Sequence, residues 1–149
     1  MKQVNNIQIR VFCKKEEDEK KIIEGIYNII NFSEDEIIKE KLEIKKTEAK
    51  GFDEKIKIFE FYAEKDRHTN HILKQLNEKL TNADKERLRE QENRLDDNLD
   101  FYIRLSKPLI LENSFELTET GDCYHIKINI AAYPKHKDKG LDMIKEMFK

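Results

Sequence analysis

The sequence predicts an α+β fold, with one domain over residues 1–149 and helices packed on one face of a mostly antiparallel sheet of about five to six strands. Strict alternation of apolar and polar residues over 7–13, 99–105 and 124–130 is typical of half-buried strands. Other segments repeat apolar residues at helical spacing. Most connections between strands are too short for a right-handed crossover, which favours antiparallel pairing.

The chain begins with a predicted strand and a predicted helix. In the strand 7–13, Ile7, Ile9, Val11 and Cys13 point to one side, and Arg10 and Phe12 to the other. The helix, over about 16–31, has an isoleucine face made by Ile22, Ile23, Ile26, Ile29 and Ile30. Its acidic first residues, Glu16, Glu17 and Asp18, are favoured by the helix dipole.

The middle of the chain predicts a hairpin followed by two helices. Residues 37–46 can form a strand with Ile38, Leu42 and Ile44 in phase, and 55–65 form a second strand beyond a turn at Gly51. A helical turn over 33–37 is an alternative for the start of this region. Residues 66–80 then predict an amphipathic helix, and 82–95 a largely polar helix.

The last third predicts three strands and a helix. Strands over 99–105 and 124–130 enclose a short strand at Phe115 and Leu117, and Pro134 ends the last strand. A helix over 139–149 completes the chain. With the helices on one face, the opposite face of the sheet is expected to carry the side chains of Arg10, Tyr102, Arg104, His125, Lys127 and Asn129.

Composition limits the class of protein. The net charge of -2 argues against a protein that coats nucleic acid by bulk charge, although a local basic face remains compatible with it. The sequence contains no apolar run of about 18 residues and no signal-peptide core, so a cytosolic (cytoplasmic) protein without membrane contact is expected. The two cysteines, Cys13 and Cys123, are expected to be reduced thiols.

Catalytic and metal-binding motifs are missing from the sequence. It has no dinucleotide-binding, P-loop, nucleophile-elbow or HExxH motif, which predicts a protein that is not an enzyme and uses no cofactor. His68 and His71 have helical spacing but no third ligand in the same element, so no metal site is expected. Cys123 and His125 share a side of one strand, yet no third group is visible to orient them for catalysis.

The basic residues are the best candidates for a functional site. If the predicted strands are neighbours, their cations gather on one sheet face and its rim, where they could meet the phosphates of a polyanion while Phe12 or Tyr102 stack or shield. A solvated surface is the alternative. The candidate residues are Arg10, Lys14, Lys15, Arg104, Lys107, Lys127, Lys135, His136, Lys137 and Lys139.

Three segments resemble an archaeal family of small RNA-binding proteins: IQIRVFCKKEEDEKKI, FYIRLSKPLILENSFEL and, most specifically, TGDCYHIKINIAAYP. The resemblance spans nearly the whole chain and implies an exosome-associated subunit with a fold like a double-stranded-RNA-binding domain. It also implies a relation in shape to the ribosomal protein that binds 5S RNA. The family's Gly-Asn-Pro-like turn is replaced here by AKGFDEK, so no role of that loop is carried over.

Together these observations predict a non-catalytic protein that binds structured RNA through shape and phosphates. Exosome or ribosomal proteins are its expected partners. The alternative is a protein–protein adaptor or homodimerisation module whose open sheet face is covered by a partner. In that case Phe12, Phe59 or Phe61, and Tyr102 would be the interface anchors.

Overall fold

The computed structural model describes residues 2–51 and 54–149, with only the backbone given for 49–51 and 54–55. The chain is an α+β domain. Its elements in chain order are β1 (Val4–Cys13), α1 (Glu19–Ile30), α2 (Glu34–Lys39), β2 (Ile44–Gly51), β3 (Glu54–Ala63), α3 (Asp66–Lys79), α4 (Asn82–Glu90), a 3-10 turn (Glu92–Arg94), β4 (Asp100–Ser106), α5 (Lys107–Leu111), β5 (Cys123–Ile130) and α6 (Lys137–Met147).

The five strands form one sheet in the order β2-β3-β1-β5-β4, and every neighbouring pair is antiparallel. The predicted antiparallel sheet is therefore confirmed. β1 is central, and its register places Ile9 opposite Phe61 of β3 and Ile126 of β5. The predicted β2–β3 hairpin is present, while the central residues of its turn, 52 and 53, lie outside the described residues.

The core lies between the sheet and the helices. The strand side chains predicted to be buried have almost no solvent exposure; they are Ile9, Phe101, Ile103, Ile126 and Ile128. Ile26 of α1 and Leu76 of α3 are buried in the same cluster. Burial of each such side chain contributes about 1.5–3 kcal/mol, so this layer of apolar residues is a main source of the fold's stability.

Helix caps decide two boundaries that periodicity placed elsewhere. Asp18 caps α1 by accepting a hydrogen bond from the Lys20 backbone N–H, so the helix begins at Glu19 rather than near residue 16. Ser33 and Glu36 form a capping box that starts α2, where a strand over 37–46 was the leading interpretation. The strand prediction was wrong before Ile44, and the helical alternative correctly identified this turn.

Three smaller differences concern the second half of the chain. The residues near Phe115 form a single bridge, between Leu105 and Leu117, rather than a strand of the sheet. The polar helix ends at Glu90 and is followed by the 3-10 turn. The short helix α5, directly after β4, was not predicted; it carries a proline at its start, a position that suits the fixed φ of proline.

Candidate nucleic-acid interface

The face of the sheet opposite the core is open to solvent at its centre. Alternation in β1, β3, β4 and β5 turns every second side chain toward this outer face. Three aromatic side chains are exposed on it: Phe12 (37%), Tyr102 (43%) and Tyr62 (53%). Large exposed side chains on a face whose other side is a packed core make this surface the leading site of interaction.

A row of basic side chains crosses this face perpendicular to the strands. The register places Arg10 of β1 and Arg104 of β4 on either side of His125 of β5. Arg10 donates from Nε to Glu60 of β3 at 2.9 Å, and Arg104 donates from Nη1 to the Glu119 carbonyl at 3.3 Å. Each of these bonds uses one donor of a guanidinium that has five, so both groups keep donors for a ligand. We call Arg10, His125 and Arg104 the arginine row.

A shallow depression of about 340 Å³ lies on the outer face at the Arg10 and His125 part of this row. It is lined by Gln8, Arg10, Phe12, Tyr102, His125, Ile126 and Lys127. The Phe12 ring meets His125 edge to face, with ring centroids 6.1 Å apart. The depression therefore combines cations, aromatic rings and an imidazole within one small surface.

His125 is held neutral by its surroundings. Burial lowers the pKa of its imidazole, and the positive charges of Arg104, Arg10 and Lys107 lower it further. A bound anion would offset those charges and favour the protonated ring.

The nearby thiol has no sign of activation. Cys123 Sγ lies 3.4 Å from His125 Nε2. Burial raises the pKa of Cys123, an effect larger than the opposing influence of Arg104 and Lys107. The thiol therefore stays protonated near neutral pH, whereas a cysteine nucleophile requires the thiolate.

Three of the ten candidate residues lie on the outer face together. Arg10, Arg104 and Lys127 occupy neighbouring strands, as expected if β1, β4 and β5 were adjacent. Lys127 is one row away from the two arginines, opposite Gln8 and Tyr102.

Lys107 does not belong to this surface, and its placement among the exposed cations was wrong. Only 4% of the residue is exposed. Its ammonium lies 3.1 Å from a Glu17 carboxylate oxygen and 3.2 Å from one of Asp122, and it donates to the Phe12 carbonyl at 2.9 Å. A buried ammonium needs such partners, so Lys107 holds together the start of α5, the loop before α1 and the end of β1.

The remaining six candidates occupy two opposite ends of the sheet. Lys14 and Lys15 follow the last residue of β1, Cys13. The other four are exposed in the segment that leads from β5 into α6: Lys135, His136, Lys137 and Lys139. Because β1 and β5 are antiparallel, these groups lie near opposite ends of β1, about 30 Å apart. We call them the β1 rim and the α6 rim.

Sequence reasoning overlooked Tyr62 and left His125 out of the candidate set. The alternation of β3 identifies Tyr62, because it lies two residues from Glu60 on the same side of the strand. The central position of His125 depends on the pairing of β5 with both β1 and β4. No local pattern in the sequence contains that information.

The two spaced histidines have separate surroundings. His71 Nε2 lies 2.8 Å from the Asn31 carbonyl, whereas His68 Nε2 is buried 3.8 Å from Glu40. Across residues 2–51 and 54–149, no group of three or more His, Cys, Asp or Glu side chains is arranged to hold a metal ion. Within the same ranges, every helix is too short or too polar to cross a membrane.

Comparison with known proteins agrees with a nucleic-acid role for the family. The sequence model of a family described as RNA binding matches residues 6–131. The chain belongs to this RNA-binding family. A protein of Pyrococcus abyssi named as an RNA-binding protein is 27% identical over 146 residues, covering 97% of this chain and 93% of the relative.

Solved structures of archaeal proteins show the same fold. A DUF54 protein from Methanothermobacter thermautotrophicus superimposes with a TM-score of 0.80 at 24% identity, covering 99% of both chains. A protein of the same family from Archaeoglobus fulgidus gives a TM-score of 0.84 at 23% identity, covering 97% of this chain and 99% of its own. Both comparisons concern the fold alone.

Proposed function

We propose that this protein is a non-catalytic RNA-binding protein that contacts structured RNA through its outer sheet face, by shape and by phosphate contacts. The observation that carries the proposal is the arginine row, which sets two guanidiniums and an imidazole side by side on an open face. Guanidinium groups match phosphate geometry and stay charged at all physiological pH values. Membership of the RNA-binding family and the name of the Pyrococcus relative support the same proposal.

The experiment replaces both arginines in one variant, Arg10→Gln with Arg104→Gln. A fluorescent RNA hairpin is titrated at several salt concentrations with this variant and with the unaltered protein. Removal of two cations that neutralise phosphates should weaken binding roughly 10-fold or more at low salt and reduce the slope of log affinity against log salt by about 1.5. Because the Arg10–Glu60 pair is at the surface, folding stability should change by less than about 1 kcal/mol.

The matched control changes net charge by the same amount on the helical side. Lys21 of α1 and Lys79 of α3 are both exposed, and replacing both with Gln should leave hairpin affinity nearly unchanged. Equal reductions of affinity in the two variants would mean that only diffuse charge acts. Failure of the unaltered protein to bind the hairpin at low salt would overturn the proposed function.

An association with the exosome or with ribosomal proteins is the finer part of the proposal, and it rests on the family resemblance. Affinity purification from the native organism, with and without ribonuclease, tests it. Recovery of exosome or ribosomal proteins that resists ribonuclease supports direct contact. If these proteins are no longer recovered after ribonuclease treatment, the association is mediated by RNA and direct protein contact is contradicted.

A homodimer is the second candidate, favoured by the three exposed aromatic side chains on a face of mixed charge. The interface predicted from sequence needs correction, because Phe59 and Phe61 are buried on the core side of β3 and cannot anchor a partner. Phe12 and Tyr102 remain exposed. Light scattering of the unaltered protein, with and without RNA, distinguishes the homodimer from the RNA-binding monomer. A dimer through this face would cover the arginine row and compete with RNA.

A further inference from the structure

The exposed aromatic side chains lie on either side of the arginine row rather than at random on the outer face. Phe12 follows Arg10 by two residues on β1, and Tyr102 precedes Arg104 by two on β4. Neighbouring groups limit the movement of both rings. The Phe12 ring packs perpendicular to the His125 ring, and the Tyr102 hydroxyl donates to Asp96 at 3.0 Å. Both rings line the same depression.

Charge changes sign along the strands of the outer face. The arginine row is positive, apart from Glu60 at its outer end. Beyond Tyr102 and outside the depression, the face becomes acidic: Asp96 accepts a hydrogen bond from Tyr102, and Asp100 accepts one from Asn129 at 2.9 Å. A phosphate is favoured at the arginine row and repelled from the acidic side. Between the two lie Gln8, Lys127 and Tyr102, whereas Phe12 lies on the far side of the arginine row. An aromatic ring is therefore available to a flat base on each side of a phosphate held at this row.

We infer that this depression binds a short unpaired stretch of RNA, with a backbone phosphate at the arginine row and the bases that flank this phosphate against Phe12 on one side and Tyr102 on the other. The inference rests on the proposed function and defines the class of RNA that this face accepts. Bases in a continuous duplex are stacked on one another and cannot cover these rings, whereas bases in loops, bulges and single strands can. A structured RNA would therefore bind here at an unpaired position.

The test compares a short oligouridylate with a blunt RNA duplex of equal length at the same salt concentration. The single strand should bind the unaltered protein at least about 10-fold more tightly. Replacing either aromatic ring with an aliphatic side chain, Phe12→Leu or Tyr102→Leu, should weaken binding of the oligouridylate by about 5- to 150-fold. Weak duplex binding should be unaffected by either change, because it depends on charge alone.

The matched control keeps the ring and removes only the hydroxyl group. Tyr102→Phe removes the hydrogen bond to Asp96 yet should retain most of the affinity for the oligouridylate. Thermal unfolding of each variant checks that these exposed substitutions leave the fold intact. If Tyr102→Leu and Tyr102→Phe weaken binding of the oligouridylate equally, the effect belongs to the hydroxyl group, and the proposed stacking on the ring is wrong.

Two outcomes separate this inference from the function on which it rests. If the duplex binds as tightly as the oligouridylate, and only the arginine variant weakens binding of both, the protein binds RNA but does not select unpaired nucleotides. If neither probe nor the hairpin binds at low salt, both proposals fail. NMR of His125 adds a direct readout, since inorganic phosphate or oligouridylate at the arginine row should raise the pKa of this imidazole.

Discussion

At the scale of the residue, the environment decides what identical side chains do. Lys107 and Lys127 are both lysines at or next to strands, yet one ammonium is buried among Glu17, Asp122 and a backbone carbonyl while the other lies on the outer face. Burial is the main cause that lowers the pKa of both His68 and His125, and cationic neighbours lower both further. The two differ because the Glu40 carboxylate opposes the shift at His68, whereas the charged neighbours of His125 are all cationic.

The surroundings of His68 predict a dependence of stability on pH. Only 5% of the residue is exposed, and burial lowers the pKa of the imidazole more than the nearby Glu40 carboxylate raises it. The unfolded chain therefore takes up a proton first as pH falls. The stabilising effect is complete above about pH 6.5 and is lost as pH falls through the lower pKa of the folded state. His125 contributes with the same sign, because its pKa is also lowered.

Urea unfolding at a series of pH values from neutral to mildly acidic tests this. The unaltered protein should lose stability on acidification through this range, and His68→Leu should lose less. His136→Gln is the control, because that side chain is exposed beside α6 and should leave the pH profile unchanged. A profile for His68→Leu that overlays the unaltered one would show that His68 does not cause the dependence.

At the scale of the element, the position of α1 on the sheet depends on a close approach. Gly25 faces Tyr124 of β5, and a Cβ added at Gly25 would lie 1.9 Å from the Tyr124 hydroxyl oxygen. The same hydroxyl donates to the Ile22 carbonyl of α1 at 2.8 Å. The missing side chain at Gly25 therefore lets the helix lie close enough to the sheet for the tyrosine to bond its backbone.

Gly25→Ala should consequently destabilise the protein, although alanine is the better helix former. The gain in helix propensity is about 1 kcal/mol, whereas forcing a methyl group into a packed region costs about 1–3 kcal/mol or more. A net decrease of about 1–2 kcal/mol in the free energy of unfolding is expected from urea denaturation. Lys21→Ala, an exposed change in the same helix, should stay within about 0.5 kcal/mol.

A double-mutant cycle identifies the neighbour responsible. In a Tyr124→Leu background the alanine at Gly25 should cost markedly less, because the two nearest atoms that its Cβ meets, both of Tyr124, are gone. If the effects of the two substitutions on the free energy of unfolding are additive, contact with Tyr124 is not the reason that alanine destabilises α1.

At the scale of the whole molecule, cations are spread along the length of the sheet. The arginine row is central, with the β1 rim at one end of β1 and the α6 rim near the other. Because the rims are about 30 Å apart, a short RNA held at the centre cannot reach both. A net charge of -2 is compatible with this arrangement, since a local basic surface depends on how charge is distributed rather than on the total.

This spacing predicts that the α6 rim matters only for longer RNA. Replacing Lys135, Lys137 and Lys139 with Gln should weaken binding of a long folded RNA and reduce its salt slope by about 0.7–0.9 for each phosphate that is no longer neutralised. Binding of a short oligouridylate should change little. Fluorescence anisotropy with both probes over a range of salt provides the measurement.

The control for this triple variant replaces exposed lysines on the helices, Lys20, Lys74 and Lys79, with Gln. Arg89 is unsuitable as a control because its guanidinium donates to the Phe148 carbonyl. Equal weakening of long-RNA binding in both triple variants would contradict a specific role for the α6 rim.

Local patterns in the sequence were enough to predict the class of fold and the faces of its strands. Period-two alternation reports which side chains are buried, because one face of the sheet must cover the core, and this identified Ile9, Phe101 and Ile128 correctly. Arg10 and Arg104 were assigned to the outer face for the same reason. Where two local patterns competed, over residues 33–43, the capping box prevailed over apolar spacing.

Which of these side chains form a site depends on the tertiary structure. Strand order places Arg10, His125 and Arg104 in one row although they are far apart in the chain, and pairing partners distant in sequence cannot be read from local periodicity. Burial of Lys107 likewise depends on Glu17 and Asp122 arriving from two other segments. A lysine ammonium group can be buried if carboxylates and carbonyls surround it, or it can stay in solvent. The neighbours that the fold brings to it therefore determine whether the lysine stabilises the fold or faces a ligand.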